Sequence, residues 1–251
     1  IPIILTKIVE ESIANGELPS TWMENLIRLL FKKHTSIERL YKKNYRPIAL
    51  QNVDYKIVYK ALAIRLATVI HKVIPQNQAA FVPSRVISDI ILLVKSIMHK
   101  SKKYKELVLI LLMDQEKAYD SVSHAFTKLM MEAVKLPAYF VNLVMMALKG
   151  AKIQLIINGF LTNKFEAKGG GKQGDPLYPY IFLIVMLGLM ALVETSEDIE
   201  GISVPFSTMR LKALFFADDT NMFGKSNDIP KFIDVSGTFK NASGLGSNID
   251  K

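Results

Sequence analysis

The sequence predicts an α+β fold, and three observations predict it. Segments with apolar residues at helical spacing lie at 1–15, 56–74, 88–99, 124–136 and 230–242. Short apolar runs of strand length lie at 26–31, 107–113, 153–157 and on both sides of Asp218-Asp219. No internal repeat or low-complexity linker divides the two kinds, so the chain reads as one continuous unit.

Taken in order, Ile4, Ile8, Val9 and Ile13 make one face of a first helix that Asn15-Gly16 ends. Leu26 to Phe31 reads as a strand closing on Lys32-Lys33-His34, and 35–43, with Arg39, Lys42 and Lys43, as a basic loop. Asn44-Tyr45-Arg46-Pro47-Ile48-Ala49-Leu50 leads into a helix over 56–74. Ile57, Ala61, Ile64, Leu66 and Val69 are its expected apolar side and Pro75 its stop. A connector marked by Gln and Pro, 76–86, precedes a helix to about His99 that Ser88 or Asp89 is expected to cap; a basic loop, 100–105, follows. Leu107 to Met113 is a continuous apolar run, expected to be a strand buried on both faces, and it ends in Asp114.

Asp120 or Ser123 caps the next helix, whose stripe is Phe126, Leu129, Met130, Ala133 and Val134; Pro137 ends it, and a further helix runs to Gly150. Ile153 to Ile157 and 160–165 form a hairpin about Asn158-Gly159. The loop from Gly169 to Pro176 is rich enough in glycine for backbone to approach a ligand. From Pro176 to Val193 there is no charge over 18 residues, which reaches the length of a membrane span. Pro176 and Pro179 at its start and the acidic 194–200 after it fit a buried helix entered through a turn. A strand pair near 202–206, the aspartate hairpin and a helix over 230–242 ending at Ser243-Gly244-Leu245-Gly246 complete the chain.

The chain of 251 residues carries 32 basic against 23 acidic side chains, a net charge of +9. That balance favours a polyanionic partner, nucleic acid before membrane. With no cysteine, disulfides and thiolate metal sites are excluded, so a metal would need oxygen or imidazole ligands. The start at Ile1-Pro2, without Met, reads as an internal piece of a longer protein.

The chemistry centres on Leu214-Phe215-Phe216-Ala217-Asp218-Asp219. Neighbouring carboxylates converge on one site only where a strand turns, and like charges at close range call for a bound divalent cation. Asp114, at the end of an apolar strand, is the expected third ligand. Three carboxylates suit Mg²⁺, which takes oxygen ligands and shares its shell with phosphates, and two such ions serve in-line phosphoryl transfer.

Phe216-Ala217-Asp218-Asp219 stands in order with four further motifs. These are Asp114 followed by Glu116-Lys117-Ala118-Tyr119-Asp120; Gln173-Gly174-Asp175-Pro176-Leu177; Asn44-Tyr45-Arg46-Pro47-Ile48; and Ser243-Gly244-Leu245. Together they resemble the reverse transcriptase of non-LTR retrotransposons (long interspersed elements) over about residues 20–251. The resemblance implies a right-hand polymerase fold of fingers and palm, with an antiparallel palm sheet packed by helices and no thumb. Residues 1–105 would be fingers-like and 106–251 palm-like, with fingers elements interleaved around 125–165.

The same resemblance implies an RNA-directed DNA polymerase with RNA template, DNA primer and deoxynucleoside triphosphates as partners, and Mg²⁺, two ions, or Mn²⁺ as cofactor. Asp114, Asp218 and Asp219 match the catalytic metal ligands. Tyr119 matches a steric gate against the ribose 2′-OH, and Gln173 and Gly174 a loop against nucleotide and template. Lys32 and Arg46 match residues that grip the triphosphate, Lys251 a general acid for pyrophosphate, and Phe216 an aromatic beneath the primer end. A retroelement origin would place the protein in the nucleus or in a cytoplasmic ribonucleoprotein. Tyr178 stands where the family usually has a small Ser and is expected to crowd the nucleotide loop. Two alternatives share these features: an RNA-dependent RNA polymerase, with Asp120 on a ribose 2′-OH, and an inactive RNA-binding fragment.

Overall fold

In the computed structural model, which describes residues 2–31, 41, 44–115, 118–205 and 207–248, two sheets are joined by a layer of helices. Helix α1 (Pro2–Asn15) turns Leu5, Ile8 and Val9 to the core, while Ile4 and Ile13, expected on its apolar face, are exposed. A single turn, α2 (Ser20–Met23), buries Trp22, whose indole N–H donates to Asp54 at 2.7 Å. Strand β1 (Glu24–Phe31) then pairs antiparallel with β2 (Tyr45–Leu50).

Helix α3 (Val53–Ala67) departs from the expected stripe. Tyr55, Tyr59, Leu62, Ala63 and Leu66 are buried, whereas Ile57, Ile64 and Val69 are exposed. A tyrosine is buried cheaply when its hydroxyl finds an acceptor. Both do: Tyr59 donates to the Leu143 carbonyl at 2.9 Å and Tyr55 to the Asp175 carboxylate, with their rings stacked 4.0 Å apart. The helix ends at Ala67, and a separate 3₁₀ turn, Ile70–Lys72, fills the interval before Pro75. Helix α4 (Ile87–Tyr104) starts without a side-chain cap from Ser88 or Asp89 and continues through the segment expected as a basic loop. It stops where Lys105 turns left-handed at φ +55°.

Strand β3 (Leu109–Gln115) alternates instead of burying both faces. Leu111 and Met113 face the main core, whereas Ile110 packs against α4 and Leu112 is 72% exposed, because α4 covers only the far end of that face. A short turn, α5 (Ala118–Ser121), leads to α6 (His124–Ala133), capped by the Ser123 hydroxyl as expected; Leu129, expected in its stripe, is exposed. Pro137 opens α7 (Ala138–Lys149). Strand β4 (Lys152–Ile157) returns to pair in parallel with β1, and β5 (Phe160–Leu161) and β6 (Phe165–Glu166) extend that sheet through the Asn158-Gly159 turn.

The uncharged stretch is α8 (Tyr178–Thr195), apolar on all sides because it is packed on nearly all of them. Helix α6 lies on one flank and α9 (Ile229–Ser243) on another. Gly188 admits both: a Cβ there would stand 3.1 Å from the Phe126 ring and 3.2 Å from the Phe239 ring. The length and composition that imitate a membrane span thus belong to a core helix. After a small ribbon, β7 (Ile202–Ser203) with β8 (Arg210–Leu211), come β9 (Ala213–Phe216), β10 (Asp219–Gly224) and, past α9, β11 (Ser247–Asn248). The second sheet runs β11-β3-β10-β9, all antiparallel.

Neighbours on β3 separate the two faces of this sheet. Met113, 4% exposed, should cost about 2–5 kcal/mol when truncated to Ala, whereas Leu112→Ala should stay within about 0.5 kcal/mol. Urea unfolding of the two variants checks this; equal losses would mean that the Leu112 face is covered.

Candidate active site

Antiparallel register carries the aspartates to one place. Met113 on β3 pairs with Thr220 on β10, and Phe216 on β9 pairs with Asp219. One further step sets Asp114 across from Asp219, and residues opposite one another share a face. That face is the one Leu112 leaves open, where Asp114, Phe216 and Asp219 line a groove of about 710 Å³ with the apolar side of α4. Asp218 sits in the turn itself. Ala217 has φ +56°, and a two-residue hairpin loop left-handed only at its first position has the type II′ form, which favours glycine. Alanine in that region costs roughly 1–3 kcal/mol, so the surrounding structure holds it there.

The electrostatics report the same convergence. Burial first, then the Asp219 and Asp114 carboxylates, hold the Asp218 carboxyl above its ordinary range, against the pull of its own backbone N–H. Three carboxylates are hard oxygen donors of the kind Mg²⁺ accepts, and a divalent cation would relieve their mutual repulsion. The residues fit the ion by donor type and by charge alone; among the described residues no three His, Asp or Glu side chains lie in metal-holding geometry.

Tyr119, on α5, lies within electrostatic reach of Asp218. Burial and that carboxylate together push its hydroxyl up to about 12, so the ring is a neutral wall. Phe182 stacks on it at 4.9 Å and 14°, and Tyr178 packs at 5.4 Å. Tyr178 does not protrude into the loop: it is 3% exposed, and its crowding is taken up at Gly171, where a Cβ would stand 2.0 Å from the ring. Its hydroxyl is buried without a hydrogen-bond partner.

The glycine-rich loop is stitched to this wall and to the first sheet. Gly170 and Gly171 donate to the Val122 and Tyr119 carbonyls, both at 2.7 Å, and His124 Nε2 lies 2.9 Å from the Gly170 carbonyl. Gly170, at φ +71°, has no room for a side chain, since a Cβ would meet the Asp120 backbone at 2.6 Å. The Gln173 carbonyl accepts from Ala49 of β2 at 2.8 Å, and its side-chain amide donates to Asp120 at 3.3 Å. Gly174 lies against the Ala49 carbonyl, at 3.2 Å for an added Cβ. Arg46 is exposed on β2, on the same strand face as Ile48, so it belongs to the first sheet and not to the sheet that carries the aspartates. Lys32 and Lys251, and the Glu116-Lys117 part of the Asp114 motif, lie outside the described residues.

Sequence reasoning passed over the residue that anchors the loop. Asp175 is buried; it accepts from the Leu177 and Tyr178 N–H groups at the start of α8, at 2.8 and 3.2 Å, and from Gln51 and Tyr55. An Asp just ahead of a helix is a capping signal that could have found it. Lys172, also missed, is buried over the Tyr55 ring at 4.7 Å with no hydrogen-bond partner for its ammonium; burial lowers it to about 8, against the attraction of Asp175. A lysine in a glycine-rich loop carries no sequence sign that it is buried.

The reverse transcriptase (RNA-dependent DNA polymerase) family profile matches residues 31–251. A 149 kDa protein of transposon TX1 from Xenopus laevis, described as uncharacterized, is 30% identical over 213 residues, 85% of this chain and 16% of that protein. The retrovirus-related Pol polyprotein of the type-2 retrotransposable element R2DM from Drosophila melanogaster is 28% identical over 249 residues, 99% of this chain and 23% of the polyprotein. The chain therefore spans a quarter or less of these two relatives. Among solved structures, telomerase from Candida tropicalis in complex with a TWJ fragment of telomeric RNA superposes with a TM-score of 0.59 at 14% identity. That match covers 100% of this chain and 44% of the telomerase chain, and it shows a shared polymerase fold.

Two substitutions test the site without turnover. Tyr178→Phe removes a buried hydroxyl that has no partner and should raise stability by about 1 kcal/mol in thermal unfolding; a loss would mean that the hydroxyl is bonded. Because the Asp218 carboxyl is raised in the folded chain, its proton is held more tightly folded than unfolded. Its contribution is therefore favourable below the ordinary carboxylate range and is lost as pH rises through the folded value. In EDTA, Asp218→Asn should thus melt higher than wild type at pH 7, with the difference closing near about pH 4. A difference that widened on acidification would contradict the raised carboxyl.

Proposed function

Because the chain belongs to the reverse transcriptase family, of the kind carried by non-LTR retrotransposons, we propose that it is the core of an RNA-directed DNA polymerase extending a DNA primer on an RNA template. The observation that carries this is the register that sets Asp114 across from the Asp218-Asp219 turn, with Tyr119 beside Asp218. In this reading the β2-β1-β4-β5 sheet with β6 serves as fingers and the β11-β3-β10-β9 sheet as palm, so that β4 is a fingers element lying far along the chain.

Asp114, Asp218 and Asp219 would hold two Mg²⁺ ions, with Mn²⁺ as a substitute, which when bound activate the primer 3′ oxygen and stabilise the departing pyrophosphate. The chain's own residues do the selecting and placing. Tyr119, neutral and backed by Phe182 and Tyr178, is a rigid surface against which a ribose 2′-OH has no room. Gln173 and Gly174, tied to β2 and to Asp120, present backbone to the incoming nucleotide and template. Arg46 and Lys32 supply positive charge for the triphosphate. Phe216 lies in the groove beneath the expected primer end. Lys251 is the proposed proton donor to pyrophosphate.

Primer extension on an RNA template with Mg²⁺ is the direct test. Asp218→Asn should lower the rate at least about 100-fold, and Tyr119→Ala should raise ribonucleotide use relative to deoxynucleotide about tenfold, equal to roughly 1.4 kcal/mol of discrimination. Unchanged sugar selectivity would remove the gate from Tyr119. Salt-dependent binding of primer and template without extension by the wild type would reduce the chain to a nucleic-acid-binding module.

A further inference from the structure

The connector at 76–86 has no part in the chemistry above, yet it touches the turn that carries the aspartates. Asn77 to Ala79 runs parallel beside β9: Phe215 donates to the Asn77 carbonyl at 2.7 Å and Ala79 donates to the Phe215 carbonyl at 3.2 Å. The strap is held on both sides. Asn77 Nδ2 donates to the Ala213 carbonyl at 3.2 Å and to Glu194 at 3.0 Å. The Arg85 guanidinium gathers the carbonyls of Ile74, Pro75 and Gln78 into one fork.

Between these anchors lies Gln78, fully buried at 0% exposure. Its Oε1 accepts from the N–H groups of Ala80 and Ala217, at 2.9 and 3.1 Å, and its Nε2 donates to the Ala217 carbonyl at 3.5 Å. The side-chain amide therefore meets both backbone polar groups of Ala217, the residue at φ +56°, as a neighbouring strand would. Ala217 is itself buried, so water does not supply these bonds. Rotation about Ala217 would re-aim the peptide that carries Asp218.

We propose that Gln78 is a positioning residue that holds the Ala217 turn in the conformation in which Asp218 and Asp219 bind divalent cations. The proposal rests on the polymerase reading of that site. Gln78 touches no reacting atom. Its effect falls on cation affinity and on the catalytic rate, with nucleotide affinity set elsewhere, by Tyr119, Gln173 and Arg46.

The test uses the full chain and three measurements: Mn²⁺ binding without nucleic acid, by electron paramagnetic resonance; kcat and KM in primer extension; and thermal unfolding. Gln78→Met keeps length and apolar volume but loses every side-chain hydrogen bond, and should weaken Mn²⁺ about tenfold and lower kcat by about tenfold or more, with KM for deoxynucleotide changed less than about twofold. Asn77→Ala loosens the same strap without touching the turn, and should leave Mn²⁺ affinity within about twofold of wild type even if it melts as low. Ala217→Gly added to Gln78→Met should recover most of the lost affinity, because glycine holds positive φ without a clamp. If Gln78→Met does not fold, Gln78→Asn, too short to span both partners, takes its place with the same expectation. Wild-type Mn²⁺ affinity in the Gln78 variant, an equal loss in Asn77→Ala, or no recovery with glycine overturns the proposal. A wild-type chain that neither binds Mn²⁺ nor extends a primer overturns the polymerase reading on which it rests.

Discussion

Three carboxylates held near one another repel, and the structure around them must resist that repulsion. Asp114 ends one strand, Asp219 begins another and Asp218 occupies the turn, with its carboxyl raised by burial and by the other two. Charges on loops would separate. Here each is fixed by a strand whose other face is buried: Leu111 and Met113 on β3, Thr220 and Met222 on β10, Ala213 and Phe215 on β9. Apart from Thr220, those residues share one apolar core with α8 and α9, so the all-round apolarity of α8 helps support a polar site.

The second requirement is that two sheets present their residues together, and the glycine-rich loop meets it. Its backbone bonds to Tyr119 and Val122 on one side and to Ala49 on the other, leaving room for side chains only beyond it. Asp175 holds its far end by accepting from α8, Gln51 and Tyr55 at once, which helps bury Tyr55 of α3, while Tyr59 donates to the Leu143 carbonyl. Tyr178 then becomes intelligible. The large Tyr178 ring is accommodated because Gly171 yields the space, and it supports Tyr119 from behind.

Much of this was legible in the sequence for identifiable reasons. Local signals are strong where one backbone geometry is demanded: Asn158-Gly159 for the hairpin, Ser123 for the α6 cap, the uncharged run for α8. Faces were less legible. Ile4, Ile13, Ile57, Ile64, Leu112 and Leu129 are as apolar as their buried neighbours, and only the packing of other elements leaves them outside. Gln78 acts through the backbone of Ala217, far along the chain, and a side chain that bonds to backbone leaves no complementary residue to find.

The sequence by itself determined the α+β class and, through five motifs in order, the family, and it nominated the carboxylates, aromatic ring and glycine loop of the candidate site, because residue types and their order along the chain are enough for that. The tertiary structure alone decided that Asp114 and Asp219 meet on an open face, that Tyr178 lies under the loop, and that a buried glutamine from a distant connector grips the turn. Each of these depends on strand register and on contacts between segments far apart in the chain, for which no local pattern of residues is required.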